Sequence, residues 1–191
     1  TYPNDIDRAT ETNTIKNTKN TSRRFALSDG SIVALEPESS IKVSPAFNEF
    51  VREIHLDGEA FFEVAKDSLR PFVVRTDNIS VTALGTSFNI SSYGEEDQIA
   101  VALASGRVVV KEKNHQDKVY LEPGQLVQYQ KENSRFTELQ EFSAVSVYGW
   151  KDGILYFKSA SLTEVISRLE RWFGIEVVVK GKSPLSWSYT G

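Results

Sequence analysis

From Phe25 to about Tyr148 the chain is a succession of short β-branched and aromatic runs, and glycine stands just before several of them. The stretches SDGSIVAL, LDGEAFFEV, ASGRVVV, EPGQLVQY and KDGILYF place Gly30, Gly58, Gly106, Gly124 and Gly153 at the entry of strand-like segments. Asp-Gly is the strongest short hairpin signal, because a type I′ turn needs positive φ at both central residues. Gly30 and Gly58 are therefore predicted in tight turns that feed a strand directly. No helical period interrupts the stretch. Short strands behind turn signals point to an all-β sandwich or barrel. The glycines are irregularly spaced, so they share a turn chemistry and do not mark a solenoid.

The flanks differ in texture. Residues 1–24 are rich in Thr and Asn and read as a linker that becomes an edge strand near its end. After Tyr148, Trp150 to Phe157 reads as a turn and a strand. SLTEVISRLERWFG then carries both ends of a helix: Ser161 and Glu164 form an S-x-x-E capping box, and Gly174 is the stop. Leu162, Val165, Ile166, Leu169, Trp172 and Phe173 fall on one face. Val165, Ile166 and Leu169 are expected to pack against strands around Leu155 and Val177. Glu164 precedes Arg168 by one turn, the favourable order for an ion pair. IEVVVKG reads as a further strand, and SPLSWSYTG as a tail with no closing element. The predicted fold is mainly β: a jelly-roll-like β-sandwich over residues 25–148, followed by a small, partial α+β domain over 149–191.

Composition removes several function classes. The chain is 40% hydrophobic and 11% aromatic, enough for a packed core. Its formal net charge of -4 leaves no basic footprint for nucleic acid. Without cysteine there is no disulfide, thiolate metal site or Cys nucleophile. With no methionine and Thr at position 1, the chain reads as a processed or trimmed piece of something longer. Its apolar runs are too short for a transmembrane helix or signal peptide.

LDGEAFFEV raises the one catalytic question. Glu59 and Glu63 share a strand face but lie roughly 13 Å apart. Paired carboxylates of glycoside hydrolases span roughly 5 to 9.5 Å. The structural reading puts Glu59, Phe61 and Glu63 on a solvated face and Ala60, Phe62 and Val64 on the core face. Phe61 then needs cover from a neighbouring loop. Metal ligation finds only His55 and His115, too few for a His-based site. There is no G-x-S-x-G elbow, with GTSF at 85–88 the nearest stretch, and no Walker loop or G-x-G-x-x-G. Trp150, Trp172, Phe173 and Trp187 read as core aromatics. The expectation is no catalytic residue, no cofactor and no metal.

Five blocks in order resemble the periplasmic domain of FecR-type anti-sigma factors over about residues 25–129. They are LSDGSIVALEPESSIKV, REIHLDGEAFFEVAKDSLRPFVVRT, VTALGTSFNI, VALASGRVVV and LEPGQLVQY. WKDGILYFKSASLTEVISRLERWFGIEVVV resembles the C-terminal extension of Bacteroidetes-type members, which is similar to the secretin and TonB short N-terminal domain. The resemblance implies the periplasmic region of a single-pass inner-membrane protein. Its partner would be the signalling domain of a TonB-dependent outer-membrane transporter. A cytoplasmic tail ahead of Thr1 would hold an extracytoplasmic-function sigma factor, and only an N-terminal helix outside this chain would touch the membrane. The family offers no catalytic residues, and Gly30, Gly58, Gly85, Gly106 and Gly124 match its motifs as turn positions.

In the C-terminal unit, Ile175, Glu176, Val177, Val178 and Val179 are expected to form a strand with an open edge, to which a partner adds a strand. Two rival readings stand. A carbohydrate-binding sandwich shares the architecture and needs aromatics exposed together on one sheet face. A glycoside hydrolase-like enzyme, using Glu59 or Glu63 with Asp57 or Asp67, needs a cleft with a strongly raised carboxyl pKa.

Overall fold

The computed structural model describes residues 7–8, 14–114, 117–180 and 187–191. In chain order the strands are β1 (Asp7–Arg8), β2 (Thr14–Lys16), β3 (Arg23–Ala26), β4 (Ile32–Leu35), β5 (Ser40–Val43) and β6 (Arg52–Glu63). Next come β7 (Phe72–Arg75), β8 (Ile79–Ala83), β9 (Ser87–Ser92), β10 (Gln98–Ser105) and β11 (Val108–Glu112). β12 (Lys118–Leu121), β13 (Gln125–Gln130), β14 (Arg135–Phe136) and β15 (Gln140–Glu141) complete the β unit.

The long strand β6 organises the others. Its first half is bonded to antiparallel β5 and parallel β7. From Gly58 on, its second half lies between antiparallel β4 and β9. One sheet therefore runs β2-β5-β6-β7-β8-β11-β12, and the other runs β1-β3-β4-β6-β9-β10-β13, with β14 and β15 against β13. The expected hairpin at Gly58 is absent, because the strand continues through it. The positive φ is present, at 97°. A strand that switches sheets needs a corner, and a residue without Cβ makes one. Here a Cβ would lie 2.3 Å from Ser39 Oγ and 2.8 Å from Ser39 Cα. Gly30 does sit in a tight turn, joining β3 to β4, with φ 85° and its N–H donating to the Leu27 carbonyl at 3.1 Å. Gly85, Gly106, Gly124 and Gly153 also have positive φ, but Gly153 ends a 3-10 turn and opens no strand.

Inward residues of both sheets form a single core, with Val33, Phe62 and Phe88 from one sheet and Ile54, Phe72 and Val81 from the other. Each such side chain contributes roughly 1.5–3 kcal/mol on burial. Arg52 opens β6 with a buried ion pair to Asp29 at 2.9 Å, tying the first two sequence blocks together. Residues 1–24 contribute more than a linker: β2 pairs with β5, β1 runs parallel to β3, and β3 itself begins at Arg23.

After β15 the chain forms a short helix, α1 (Ala144–Tyr148), in a stretch where no helix was expected. A 3-10 turn (Gly149–Asp152) follows. β16 (Ala160–Ser161) then leads into α2 (Leu162–Phe173), and β17 (Ser188–Tyr189) pairs antiparallel with β16. The ends of α2 match the sequence signals. Ser161 Oγ accepts the Glu164 N–H at 3.2 Å, and Gly174 adopts a left-handed φ of 61°.

Several expectations fail in this unit. Residues 154–157 form no strand. Ile175–Val179 form none either, since no described strand pairs with them and Val177 N–H turns back to Glu170 Oε1 at 2.8 Å. Arg168 leaves Glu164 and donates to the Tyr156 carbonyl at 3.1 Å, over the Phe157 ring. Val165 is buried with Phe157 and Ala160, and Leu155 and Leu169 pack against them. Val177 is not in that cluster, and Ile166 is half-buried.

Candidate functional site

Alternation along β6 puts Glu59, Phe61 and Glu63 on one face, as expected. That face is covered over Glu59 and Phe61 and open only toward Glu63. Phe61 is buried with Trp150 and Ala34, and Tyr148 and Trp172 pack against them. The C-terminal segment is thus the cover that Phe61 requires. Glu59 is 8% exposed, which overturns the solvated reading. Glu63 remains partly exposed and pairs with Arg24 at 2.9 Å.

Glu59 sits in a buried polar network. Its N–H donates to Ser39 Oγ at 2.9 Å, and its carbonyl accepts the Glu36 N–H at 2.9 Å. Asn89, directed from β9, donates to Glu59 Oε1 at 2.8 Å. Tyr93, just past β9, donates its hydroxyl to Glu36 in a short hydrogen bond, with Ser39 Oγ 3.3 Å from the same oxygen. Burial, and then the Glu36 charge, push the Glu59 carboxyl well above its usual value, against the opposing effects of Asn89 and of Arg168 on α2. Burial and the charges of Glu36 and Glu59 also push the Tyr93 hydroxyl up, so it stays protonated and donates.

Arg171, in the last turn of α2, closes this network. Its guanidinium carbon lies 3.8 Å from the Tyr93 ring centroid. Nη2 donates to Glu96 Oε1 at 2.9 Å, and Nη1 donates to Glu95 Oε1 at 3.3 Å and Ser167 Oγ at 3.1 Å. Burial works against the charge on Arg171, but Tyr93, Glu96 and Glu36 hold its pKa above the ordinary value. Burial likewise raises the Glu96 carboxyl, with Arg171 opposing. A third contact caps the helix: Asn20 Nδ2 donates to the Phe173 carbonyl at 3.1 Å, one of the acceptors a helix end leaves free. The arrangement is a polar seam that fixes α2 to the β unit through residues from both ends of the chain.

The seam decides the fate of several candidate residues. The hydrolase reading asked for a raised carboxyl in a cleft; Glu59 has the raised carboxyl, but it is enclosed in the seam. Asp57 is exposed on β6. Asp67 accepts the Leu69 N–H and pairs with Arg70, which holds it below the usual carboxylate range. His55 lies 3.6 Å from Asp77 with both side chains exposed, and His115 lies outside the described residues. Among the described residues no cluster of three or more His, Cys, Asp or Glu could hold a metal ion. The carbohydrate reading asked for aromatics on a face of the sandwich. The stacked exposed pair, Trp187 and Tyr189 at 6.1 Å, belongs to the C-terminal tail. Ile175, Val178 and Val179 are exposed.

Glu36, Asn89, Tyr93, Glu95, Glu96 and Arg171 escape sequence reasoning. Arg171 follows Ser167 by one turn and Arg168 by three residues, on a side of α2 that the apolar pattern assigns to solvent. The readable signal was Phe61, since whatever covers it also covers Glu59.

The FecR protein family matches residues 13–109, and the FecR C-terminal family matches residues 154–191. Two crystal structures of a candidate anti-sigma factor from Parabacteroides distasonis ATCC 8503, at 1.65 and 2.50 Å, are 29% identical to this chain. Each match covers 93% of this chain and 82% of the other, with TM-scores of 0.84 and 0.83. No curated relative matches. Glu36, Glu59, Asn89 and Tyr93 lie in the first family match, Arg168 and Arg171 in the second. With a family match over half its length, the chain belongs to the FecR protein family.

Proposed function

We propose that this chain is the sensing region of an anti-sigma factor and works by protein–protein contact, not catalysis. It stands in the periplasm, joined to the inner membrane by a helix outside this chain. It relays a signal from the signalling domain of a TonB-dependent outer-membrane transporter to a sigma factor. The family match and the description of the Parabacteroides distasonis structures support the anti-sigma role. The observation that carries the relay is the seam. Arg171 and Asn20 hold α2 to the sandwich, so a partner that shifts α2 must also disturb Tyr93, Glu36 and Glu59.

On this reading residues 25–148 and 149–191 are two units, and the partner docks on the second. Ile175, Glu176, Val177, Val178 and Val179 carry the contact. They pair with no described strand, Val178 is 70% exposed, and an apolar segment of this kind can add to a sheet edge. Cutting the chain at 148 would be a poor test, since it strips Trp150 from Phe61. Calorimetric titration of the transporter's signalling domain against the chain and its Val178→Asp variant is the better one. The variant should bind at least about tenfold more weakly with an unchanged circular dichroism spectrum. Equal affinity would move the contact to the β unit.

A further inference from the structure

Three turns meet at one end of the sandwich: the loop after β6, the turn between β8 and β9, and the turn between β10 and β11. Between them lies an open groove of about 540 Å³, lined by Lys66, Leu69, Leu84, Thr86 and Arg107 among others. None of its lining residues belongs to the seam. Two of its lining side chains pack closely over glycine backbone. A Cβ on Gly85 would lie 2.6 Å from Lys66 Cγ, and one on Gly106 would lie 2.6 Å from Thr86 Cγ2.

The groove has unused binding capacity of three kinds. Lys66 and Arg107 have no carboxylate partner among the described residues. The one acid in the lining, Asp67, is already held by Arg70 at 2.7 Å. Thr86 is 5% exposed, yet its Oγ1 has no hydrogen-bond partner among the described residues. Leu69 and Leu84 are 88% and 50% exposed beside these polar groups. In a chain of net charge -4, two free cations flanking two bare leucines select for the opposite charge joined to apolar surface.

We propose that this groove docks an acidic segment of a protein partner, with carboxylates on Lys66 and Arg107 and an apolar side chain between Leu69 and Leu84. A small anion would use the cations and leave the leucines bare. A small ligand needs enclosure of most of its surface, which an open groove does not give. An extended segment uses both features: the charges steer it and the apolar contact holds it. The site lies on the β unit and adds a second contact to the relay, whichever partner uses residues 175–179.

The test is an NMR titration of the isotope-labelled 191-residue chain with a blocked hexapeptide alternating aspartate and leucine. Saturable shifts are expected at Leu69, Gly85, Thr86 and Arg107. The Lys66→Glu, Arg107→Glu double variant should bind at least about tenfold more weakly, and added salt should weaken binding to the wild type. Leu69→Ser, with an otherwise unchanged spectrum, should weaken it too. The proposal is overturned if the peptide shifts resonances elsewhere or none at all, or if the charge-reversed variant binds equally. It is also overturned if citrate, or a peptide alternating aspartate and serine, gives the same shifts with the same affinity, because the groove would then be only an anion site.

Discussion

Arg171 of α2 stacks on the ring of Tyr93 at 3.8 Å, so a helix from the end of the chain is held by a residue just past the middle strand β9. A desolvated cation–π contact is worth about 2 kcal/mol or more, and Arg171 is buried. Arg171→Ala should therefore loosen α2 by at least about that amount. Hydrogen exchange should quicken at residues 165–173 while β10 amides keep their protection. Arg171→Lys keeps the charge but loses the planar stack, and should fall between the two. Unchanged exchange in the alanine variant would mean that α2 is held by Trp172 and Asn20 instead.

Glu59 gives the seam a pH dependence whose sign is fixed. Its folded pKa is raised above the ordinary 4.5, chiefly by burial and then by Glu36. The folded state then binds a proton that the unfolded chain has released. This stabilisation is complete below about pH 4.5 and is lost as pH rises through the folded value. Glu59→Gln keeps the acceptor for Asn89 and cannot ionise. The variant should lose less stability than the wild type as pH rises from about 4.5 toward neutrality. Glu96, also raised by burial, contributes the same sign and leaves a residual slope. Melting curves across that range provide the check, and parallel curves for the two proteins would remove Glu59 as the source.

The sequence shows the sandwich and α2 because both rest on local chemistry. Gly30 announces its turn, and Ser161 and Gly174 announce the helix ends, each within a few residues of the structure it makes. Gly58 shows the limit. Its Asp-Gly pair correctly implies positive φ, but whether the chain then reverses or crosses between sheets depends on Ser39 and on β5 and β9. Ile175–Val179 have strand composition and no described partner strand, and β propensity without a partner makes no strand. The seam is illegible for a related reason. Glu36, Tyr93 and Arg171 are ordinary surface residue types, brought together only by the docking of α2.

Gly30 and Gly58 should respond differently to alanine. Both have positive φ, which costs an L-residue roughly 1–2 kcal/mol. At Gly30 a Cβ meets open space, whereas at Gly58 it runs into the side chain and backbone of Ser39. Gly30→Ala should lose only the conformational share. Gly58→Ala should lose clearly more, by roughly 1–3 kcal/mol of overpacking. Urea unfolding measures both, and equal losses would show that the corner relaxes freely.

The Asp29–Arg52 ion pair offers a sharper test, because it can be broken in two distinguishable ways. Both side chains are almost fully buried. Asp29 also accepts the Ser31 N–H at 2.9 Å and the Ser31 hydroxyl at 2.6 Å, so it shapes the β3–β4 turn as well as neutralising Arg52. Asp29→Ala leaves a buried guanidinium with the carbonyls of Ala65, Asp67 and Arg70 and the face of Phe72, all of them uncharged. Removing one partner of a buried pair costs about 3–5 kcal/mol, and the variant should lose that much in urea unfolding. Asp29→Asn keeps the shape and an acceptor for Ser31 while losing the charge, so it should lose somewhat less. Combining Asp29→Ala with Arg52→Met removes the stranded charge. If stranding is the main penalty, the double variant recovers a large part of the loss. A double variant no more stable than Asp29→Ala would place the penalty in the Ser31 turn, and Arg52 would then be a packing residue whose charge hardly matters.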